Sequence, residues 1–407
     1  MNNKKIFFCF LFLLIYGVSF GQNKIGLDEA IRITIENNQQ IKSSRFSLQR
    51  EEAGRSRSYN IPKLKLFVEY EGVKGSLSNY EERKIGLSQD FEFPTVYFNR
   101  AAVQNYQVEI SGAQLENTIN ILKSNLKENY ARLIFNNNSI QIARENLKFY
   151  EEFVFTAERK YQEGAGSNLE LLGARVNRIK FENLVKNFES EIISSGIVLK
   201  SIMNTDYTIE ASGNLSFDKY NISKEAIVQT ALLNNPELRI LKLQKLQSDS
   251  KISLAVSEAL PNFSLRYYSQ KIGGESGYYG FEAGVGIPLW FWWEPTGNIR
   301  QAKLELKSVS SNEINLAKIV ESQVYIAYES YQNSLRQLNF FTDQALEEAE
   351  EIIRTSKISY EEGAIGYTEY LQALNIGNET RTQYLEALYN YNLSIINLER
   401  LTGKEIQ

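Results

Sequence analysis

The sequence predicts a mostly α-helical chain built as a tandem repeat, with four amphipathic β-strands as a smaller second part. Three observations support this fold class: related motifs recur at one fixed offset, two long stretches lack proline, and four short stretches alternate apolar with polar residues. The 407 residues contain no histidine, and the formal net charge is -4 without a long basic cluster. These counts argue against Ser-His-Asp catalysis, histidine-based zinc sites and nucleic-acid binding. We therefore predict a non-enzymatic protein without a catalytic, cofactor or metal site.

The chain begins with the pattern of a secretory signal peptide, predicted over residues 1–21. Lys4 and Lys5 precede an apolar run over 6–18, and a short segment with small residues leads to Gly21. The run has about 13 residues, whereas a transmembrane anchor needs about 20. We therefore expect export and cleavage near Gly21. The single cysteine lies inside the apolar run and not at the cleavage site, so a lipid anchor is not expected.

An internal repeat organises the rest of the chain. The motif Ile-Pro-Lys-Leu-Lys-Leu at 61–66 returns as Leu-Pro-Asn-Phe-Ser-Leu at 260–265, an offset of 199 residues. The motif Tyr-Gln-Glu-Gly-Ala at 161–165 returns as Tyr-Glu-Glu-Gly-Ala at 360–364 with the same offset. Two separate motifs that share one register indicate a tandem duplication. The predicted repeats cover 22–212 and 213–407.

Proline placement predicts very long helices in both repeats. The stretches 95–235 and 296–407 contain no proline, and proline-free runs permit helices of this length. A helix over 96–160 would measure roughly 98 Å at 1.5 Å per residue, and one over 299–361 would be nearly as long. Near the C-terminus, apolar residues at spacings of four and three form a heptad seam: Tyr384, Leu388, Tyr391, Ile395 and Leu398.

Each rod is predicted to reverse direction at a glycine turn. Gly164 and Gly363 stand where a left-handed residue commonly ends a helix, and polar residues that can cap the next helix follow. Two helical hairpins with exposed tips result. Taken singly, either glycine is as compatible with simple helix termination as with a surface role, and the repetition favours the surface role.

Four strands are predicted between the helices, at about 62–73, 83–93, 261–272 and 278–289. In each stretch apolar side chains alternate with small, polar or charged ones, which is the period of a β-strand. Turns rich in Gly and Ser join the strands into two hairpins. Each strand has about the ten residues that cross a bilayer at a tilt.

The strands are predicted to lie in an outer membrane, although a single one-faced hairpin is more typical of a soluble core. Trp290, Trp292 and Trp293 cluster where the last strand ends, as in an interfacial aromatic belt. The face opposite the apolar one carries charges that suit water better than a core: Lys65, Glu69, Asp90, Glu92, Arg266 and Glu282.

Four strands leave two open edges, and unpaired backbone groups in lipid cost several kcal/mol each. Several copies must therefore close the sheet. Two copies would give eight strands and a barrel filled by side chains, whereas three would give twelve strands and room for a lumen. The inward-facing Gly and Ser residues favour the open bore, and we expect a homotrimer.

On these residues the chain resembles the TolC-like outer-membrane efflux factor family. The most specific marks are Tyr360 to Ala373 and the closing Leu401-Thr402-Gly403, and the resemblance extends over essentially the whole mature chain. It implies a trimer with a 12-strand β-barrel on a 12-helix α-barrel, in the outer membrane of a Gram-negative bacterium, with a long periplasmic extension. It also implies a passive conduit for small molecules or metal cations.

The resemblance implies partners and a docking site as well. The hairpin tips are expected to dock on a periplasmic adaptor, a membrane fusion protein, which is fed by an inner-membrane pump of the RND type. The implied docking residues are Gly164, Ala165, Gly166, Ser167, Gly363, Ala364, Gly366 and Thr368. The implied channel entrance consists of Glu170, Glu369 and Gln372, where the glutamine stands in place of a second acid. The stretch 287–290 resembles the family branch that is paired with metal-exporting pumps more than the branch that is paired with drug-exporting pumps.

Glu369 has two interpretations of equal standing: one member of an acidic ring at the gate, or a charge that complements a helix dipole.

Two other protein classes also stay open. A structural or adhesive coiled-coil envelope protein would explain the rods and export but not the matched strand hairpins. A secreted enzyme would need paired carboxylates such as Glu361 and Glu362, which on a helix are ordinary solvated charges.

Overall fold

The chain folds into two similar halves, each with a short helix pair, a strand hairpin and a long helical hairpin. The computed structural model describes residues 23–76, 78–206, 209–287 and 294–406. The first half contains β1 (Asn23–Ile25), α1 (Leu27–Asn37), α2 (Gln39–Gly54), a 3-10 turn (Arg55–Tyr59), β2 (Lys65–Glu71), β3 (Glu82–Phe91), α3 (Pro94–Gln162) and α4 (Asn168–Met203). The second contains β4 (Ile209–Ala211), α5 (Lys224–Asn234), α6 (Pro236–Glu258), β5 (Asn262–Ile272), β6 (Glu275–Gly286), α7 (Glu294–Phe340), α8 (Leu346–Glu361) and α9 (Tyr367–Thr402).

The long helices of the first half agree with the proline pattern. Helix α3 runs for 69 residues without a break, which is roughly 104 Å at 1.5 Å per residue. Pro94 occupies its first turn, where the missing N–H has no intrahelical partner to lose. Among the described residues, no helix combines the length and apolar character needed to span a membrane.

The second rod is not one continuous helix, contrary to the prediction over 299–361. Helices α7 and α8, of 47 and 16 residues, are joined by a π-helical turn, Phe341–Ala345. A π turn pairs each N–H with the carbonyl five residues back, so it holds one residue more than an α turn. The two rods therefore share a length but differ in regularity.

In each half, a buried asparagine connects the short helix pair at the start to the last long helix. Asn38 lies between α1 and α2, caps α2 with its side-chain oxygen, and donates to the carbonyl of Ile202 at 2.8 Å. Asn235 caps α6 in the same way and donates to the carbonyl of Leu401 at 2.9 Å. Such a cap contributes about 1 kcal/mol. Each asparagine thus ties the start of its half to the end of its long hairpin.

The apolar core lies in seams between the helices. One cluster joins α5, α7 and α9 around Tyr331, Tyr391 and Leu398. A second joins β1, α1, α3, α4 and β4 around Leu126 and Leu199. Helix α3 packs along α4 and also contacts α6 and α9, so it connects the two halves. Side-by-side packing suits rods that are too long to surround a single centre.

The four longer strands form one antiparallel sheet in the order β2-β3-β5-β6. Leu66 lies opposite Leu87, and Gly86 lies opposite Tyr268, so the strands of the two halves are joined at β3 and β5. Strands β2 and β6 are the edges. One end of the sheet adjoins the helices, and the residues that follow β2 and β5 lie at the far end. Strands β1 and β4 form a separate parallel pair.

Candidate functional site at the hairpin tips and the sheet

The two helical hairpins reverse at nearly identical glycine turns. Gly164 and Gly363 have φ of +73° and +74°, the left-handed region in which other residues lose about 1 kcal/mol or more. In both turns the N–H of the next residue donates to the carbonyl five positions earlier at 2.8 Å. This bond belongs to the Schellman ending of a helix, so the predicted reversal has a clear backbone cause.

The returning helices are capped in different ways. In α4 the Ser167 hydroxyl accepts a hydrogen bond from the N–H of Glu170 at 3.1 Å. Helix α9 starts after Gly366, which has no side chain, and the Glu369 carboxylate accepts from the N–H of Gly366 at 3.1 Å. The acid at the third helical position thus replaces the missing cap. This geometry fits the interpretation of Glu369 as a helix-terminal charge.

The predicted docking residues lie together at the ends of the two hairpins. The exposed ones are Gly164, Ala165, Ser167, Gly363, Ala364, Gly366 and Thr368, while Gly166 is half-buried. A Cβ on Gly166 would lie 3.0 Å from the Cβ of Lys160, so a side chain there would press on the turn. Of the predicted entrance residues, Glu369 and Gln372 are exposed and Glu170 is half-buried.

An aromatic cluster joins the two hairpins next to their tips. Phe153 of α3 stacks on Tyr367 of α9 with ring centroids 4.1 Å apart. Phe149 meets Tyr370 edge-on at 5.5 Å, and Tyr370 stacks on Tyr360 at 4.7 Å. Such pairs contribute about 0.5–1.5 kcal/mol each beyond burial. We did not predict this cluster, although aromatic residues at helical spacing on both rods are visible in the sequence.

Burial sets the protonation of these phenols. It raises the pKa of Tyr370 to about 12, with a further contribution from Glu361. It also raises the pKa of Tyr367, with smaller contributions from Tyr150 and Glu170. Both phenols are therefore neutral at physiological pH.

Polar contacts continue the connection between α3 and the second hairpin. The Asn378 amide donates to the side-chain oxygen of Asn146. Arg381 pairs with Glu145 at 3.2 Å. Lys160 Nζ lies 3.4 Å from the hydroxyl of Tyr360. The two hairpins thus hold each other through aromatic packing at the tips and polar contacts further along.

Helix α4 carries an exposed apolar stripe that starts beside the tip. Its members are spaced by three and four residues: Leu169, Leu172, Val176 and Ile179. They are 80%, 48%, 65% and 50% exposed. In a heptad pattern such a stripe is a helix-packing seam, and its four residues belong to neither of the described clusters that join α3 and α4 near the tips.

The sheet has one charged face, and ion pairs bridge its strands. Arg266 of β5 contacts Glu69 of β2 at 2.8 Å and Glu282 of β6 at 3.2 Å. Lys65 pairs with Asp90 at 2.7 Å. These residues share one face, as predicted. Glu92 is the exception.

Glu92 lies beyond the end of β3 and pairs with Arg100 of α3 at 2.7 Å. The prediction that placed Glu92 on the charged face was wrong, because the chain turns towards the helix after Phe91. The opposite face of the sheet is apolar and exposed, with Leu66 at 83% and Phe281 at 69%.

Glycines make room for an aromatic ring on the charged face. A Cβ on Gly280 would lie 2.3 Å from the Cζ of Tyr268, and one on Gly86 would lie 2.6 Å from its Cβ. The ring of Tyr268 therefore covers the backbone of Gly280 on β6, and Gly86 on β3 leaves room for its Cβ. These glycines explain part of the small-residue pattern in the strands.

Two predictions fall on residues that the structure does not describe. Trp290, Trp292 and Trp293, the predicted interfacial belt, and the signal peptide lie outside the described residues. Within the described ranges, no group of three or more Asp, Glu, Cys or His residues is arranged to hold a metal ion.

Comparison with known proteins places this geometry in a family. The family model described as outer membrane efflux protein matches residues 30–204 and 227–404, once in each half. The chain is 21% identical over 356 residues to the probable outer membrane lipoprotein SilC of Salmonella typhimurium. The alignment covers 82% of this chain and 74% of SilC.

Solved structures share the fold. The CmeC outer membrane channel of Campylobacter jejuni matches with a TM-score of 0.77 and 17% identity, over 93% of this chain and 85% of CmeC. CusC, from a study of folding and transmembrane channel formation, matches with a TM-score of 0.76 and 17% identity, over 93% of this chain and 92% of CusC. The chain therefore belongs to the outer membrane efflux protein family, the TolC-like channels of the outer membrane.

Proposed function

We propose that this protein is the outer-membrane channel of a tripartite efflux system. In this role it is a passive conduit that receives small molecules or metal cations from a periplasmic adaptor and an inner-membrane pump. The proposal rests on the four-stranded sheet. Its apolar face is exposed, its charged face is ion-paired, and its two edge strands each lack a second neighbour. The sheet stands at the end of helical rods about 100 Å long. Lipid suits the first face, and a water-filled lumen suits the second.

The free edges carry the argument for a trimer. Strands β2 and β6 each have one neighbour, and lipid cannot satisfy the other row of backbone groups. Three copies joined β6 to β2 give twelve strands and an open bore. We propose that a neighbouring copy covers the exposed stripe of α4, whose four side chains are already partly buried, so that each contributes less than the about 1.5–3 kcal/mol of a fully exposed apolar side chain that becomes buried.

The tips are the proposed docking site for the adaptor. Their exposed residues are small, so a partner helix can approach the backbone closely at Ala165, Ser167, Ala364 and Thr368. Glu170, Glu369 and Gln372 follow the turns at the start of the returning helices, and threefold symmetry would repeat them around the proposed entrance. The pump at the other end of the adaptor is proposed to be of the RND type.

We further propose export through a signal peptide cleaved near Gly21, and two repeats over 22–212 and 213–407. The channel itself is proposed not to choose its cargo. The chain carries no histidine, and no cysteine after the signal peptide, so it lacks the imidazole and thiolate ligands that bind transition metals. Selection and energy then belong to the pump.

The test compares the two faces of the sheet in the full-length protein. Lysine at Leu66, which lies opposite Leu87 near the middle of the sheet, is expected to impair insertion by roughly 2–4 kcal/mol, and lysine at Val285, nearer the helices, by less. The matched change Glu69→Gln on the charged face should be mild. The readouts are heat-modifiable trimer migration after detergent extraction and conductance in planar bilayers. Equal tolerance on both faces, or a stable folded monomer, would rule out the membrane barrel.

Docking needs a separate readout. Gly363→Trp combined with Ala165→Trp should abolish crosslinking to the adaptor while the trimer still migrates normally. Unchanged crosslinking and unchanged efflux would show that the adaptor does not bind at the tips.

A further inference from the structure

We propose that the outward face of the sheet carries a binding site for the phosphate groups of an anionic glycolipid in the outer leaflet. The site consists of Arg83 on β3 and Lys271 on β5, with Tyr70 and Tyr80 beside them. The inference rests on the proposed function, because it takes the apolar face of the sheet to be the lipid-facing one.

The two cations stand directly opposite each other. Arg83 and Lys271 are paired residues in the antiparallel register of β3 and β5, so their Cβ atoms lie about 5 Å apart. Directly paired residues point to the same side of a sheet. That side is the apolar one, since Arg83 alternates with Lys84 and shares its face with Ile85 and Leu87.

No carboxylate within the described residues compensates these charges. Neither Arg83 nor Lys271 forms an ion pair there, whereas the inward neighbour Lys84 pairs with Glu71 at 2.7 Å. Like charges that face each other across two strands are destabilising. A shared anion would remove that repulsion, and a phosphate group can accept hydrogen bonds from both side chains.

Aromatic residues complete the site. The guanidinium carbon of Arg83 lies 6.0 Å from the ring centroid of Tyr80. Tyr80 in turn meets Tyr70 edge-on at 5.1 Å. Tyrosines at this level are typical of the boundary between hydrocarbon and head groups. The combination of two cations and two phenols fits an amphipathic lipid better than a free ion.

The position along the strands agrees with a head-group site. Arg83 and Lys271 each lie one residue from the far end of their strand. Both residues lie three to four positions from the midpoint of their strand. This separation corresponds to about 12 Å of chain at 3.3 Å per residue, or about 9 Å along the bilayer normal at a tilt of about 40°. The apolar band of such barrels extends about 12 Å from its centre, and long basic side chains reach past its edge.

The neighbouring copy cannot supply the counter-charge. Strands β3 and β5 are the two central strands of the sheet, and contacts between copies would form at β2 and β6. The far end also points away from the helices, so in the proposed orientation it meets the outer leaflet. Lipid is therefore the occupant that faces this pair.

The experiment measures lipid retention by the full-length trimer in detergent, using native mass spectrometry. The probes are lipid A with two phosphates, the same lipid without phosphates, and inorganic pyrophosphate. Each basic residue near an anionic surface contributes about fivefold in affinity, so the double variant Arg83→Gln, Lys271→Gln should bind lipid A about 25-fold more weakly. Arg83→Lys keeps the charge and should retain binding within about fivefold.

The matched control is the double variant Lys65→Gln, Lys84→Gln, which removes two cations from the same sheet on the opposite face. It should bind lipid A as the wild type does. Equal retention of lipid A by the Arg83, Lys271 variant and the wild type would overturn the site. So would equal retention of the dephosphorylated lipid, or pyrophosphate binding as tight as that of lipid A, because the lipid would then contribute nothing.

Trimer formation by the wild-type protein distinguishes a failure of this inference from a failure of the proposed function. If the wild-type protein forms no heat-modifiable, membrane-inserted trimer, the channel proposal fails and the lipid site fails with it. If the trimer inserts but its lipid A retention is indifferent to Arg83 and Lys271, only the lipid site is wrong.

Discussion

The two helical hairpins come from one repeated sequence plan, yet they pack in different ways. In the first, Tyr150 of α3 stacks on Phe181 of α4 with centroids 5.4 Å apart. At the position 199 residues further, the second hairpin has Ala349, and Gly377 of α9 faces it. A Cβ on Gly377 would lie 2.4 Å from the Cγ1 of Ile353 and 3.1 Å from the carbonyl oxygen of Ala349.

Large side chains therefore fill the space between the two helices of the first hairpin. In the second hairpin the two helix backbones lie closer together at Gly377. The difference extends to the rods themselves. Helix α3 is regular over its whole length, whereas the second rod contains the π turn at Phe341–Ala345. Duplicated rods can thus keep the same turns and caps while their interior packing diverges, because a seam between two helices has several solutions of similar stability.

The largest difference between the hairpins should appear at their glycines. Gly377→Leu should destabilise the α8–α9 contact by about 1–3 kcal/mol, because the new side chain overpacks the seam. A Cβ on Gly173 of α4 would meet nothing within 4 Å, so the comparison change Gly173→Leu should be neutral or slightly stabilising through helix propensity. Urea midpoints of the helical circular dichroism signal measure both. Equal midpoints would mean that the second seam is not closely packed.

The aromatic tips should respond differently to alkaline pH. The second hairpin contributes Tyr370 to the cluster, whereas the repeat-related residue of the first is Leu171. Because burial raises the pKa of Tyr370 to about 12, the folded state favours the neutral phenol. That stability is fully present below the unfolded pKa of about 10 and is lost as the pH rises through the folded value.

We therefore expect the contact between the tips to loosen between about pH 10 and 12. Limited proteolysis at the tips follows this change, and Tyr370→Phe should shift the loss to higher pH. Identical pH profiles for the variant and the wild type would assign the alkaline loosening to other groups.

The π turn should open more readily than the matching part of α3. Amide hydrogens over 341–345 are expected to exchange roughly tenfold faster than those over 142–146, equal to about 1.4 kcal/mol of opening free energy. Hydrogen exchange with mass spectrometry on the full-length protein compares the two segments directly. Equal protection would make the π turn as rigid as a regular helix.

The smallest expected difference concerns the caps. Glu369→Gln should cost about 0.3–1 kcal/mol, because the carboxylate both accepts from Gly366 and complements the helix dipole. Glu170→Gln should cost less, since Ser167 already caps α4. Single-channel recording of the same variants tests the acidic ring independently: an unchanged cation preference after Glu369→Gln would leave only the helix-terminal role.

Local sequence signals account for much of the fold. Proline spacing predicted the 69-residue helix, the glycines predicted both turns, and alternation predicted the strands and their faces. The π turn escaped prediction because its segment, Phe-Thr-Asp-Gln-Ala, contains neither glycine nor proline and gives no local reason for the break.

The contacts that the sequence did not predict join distant segments. Phe153 and Tyr367 are 214 residues apart in the chain, and no local pattern indicates which residues of two long rods will meet. The opposition of Arg83 and Lys271 depends likewise on the register between strands of different halves. A shift of one residue would turn one of the two side chains to the other face.

The asparagine contacts that close each half give a simple account of how such a chain could have arisen. Asn38 with Ile202 and Asn235 with Leu401 tie each half at its own ends, so a half-length ancestor would already have had a complete closing device. With two sheet strands per copy, six copies would be needed for the twelve strands of the proposed barrel. Gene duplication then halves the number of subunits to three and turns every second boundary between copies into a covalent connection within one chain, which frees the two halves to diverge.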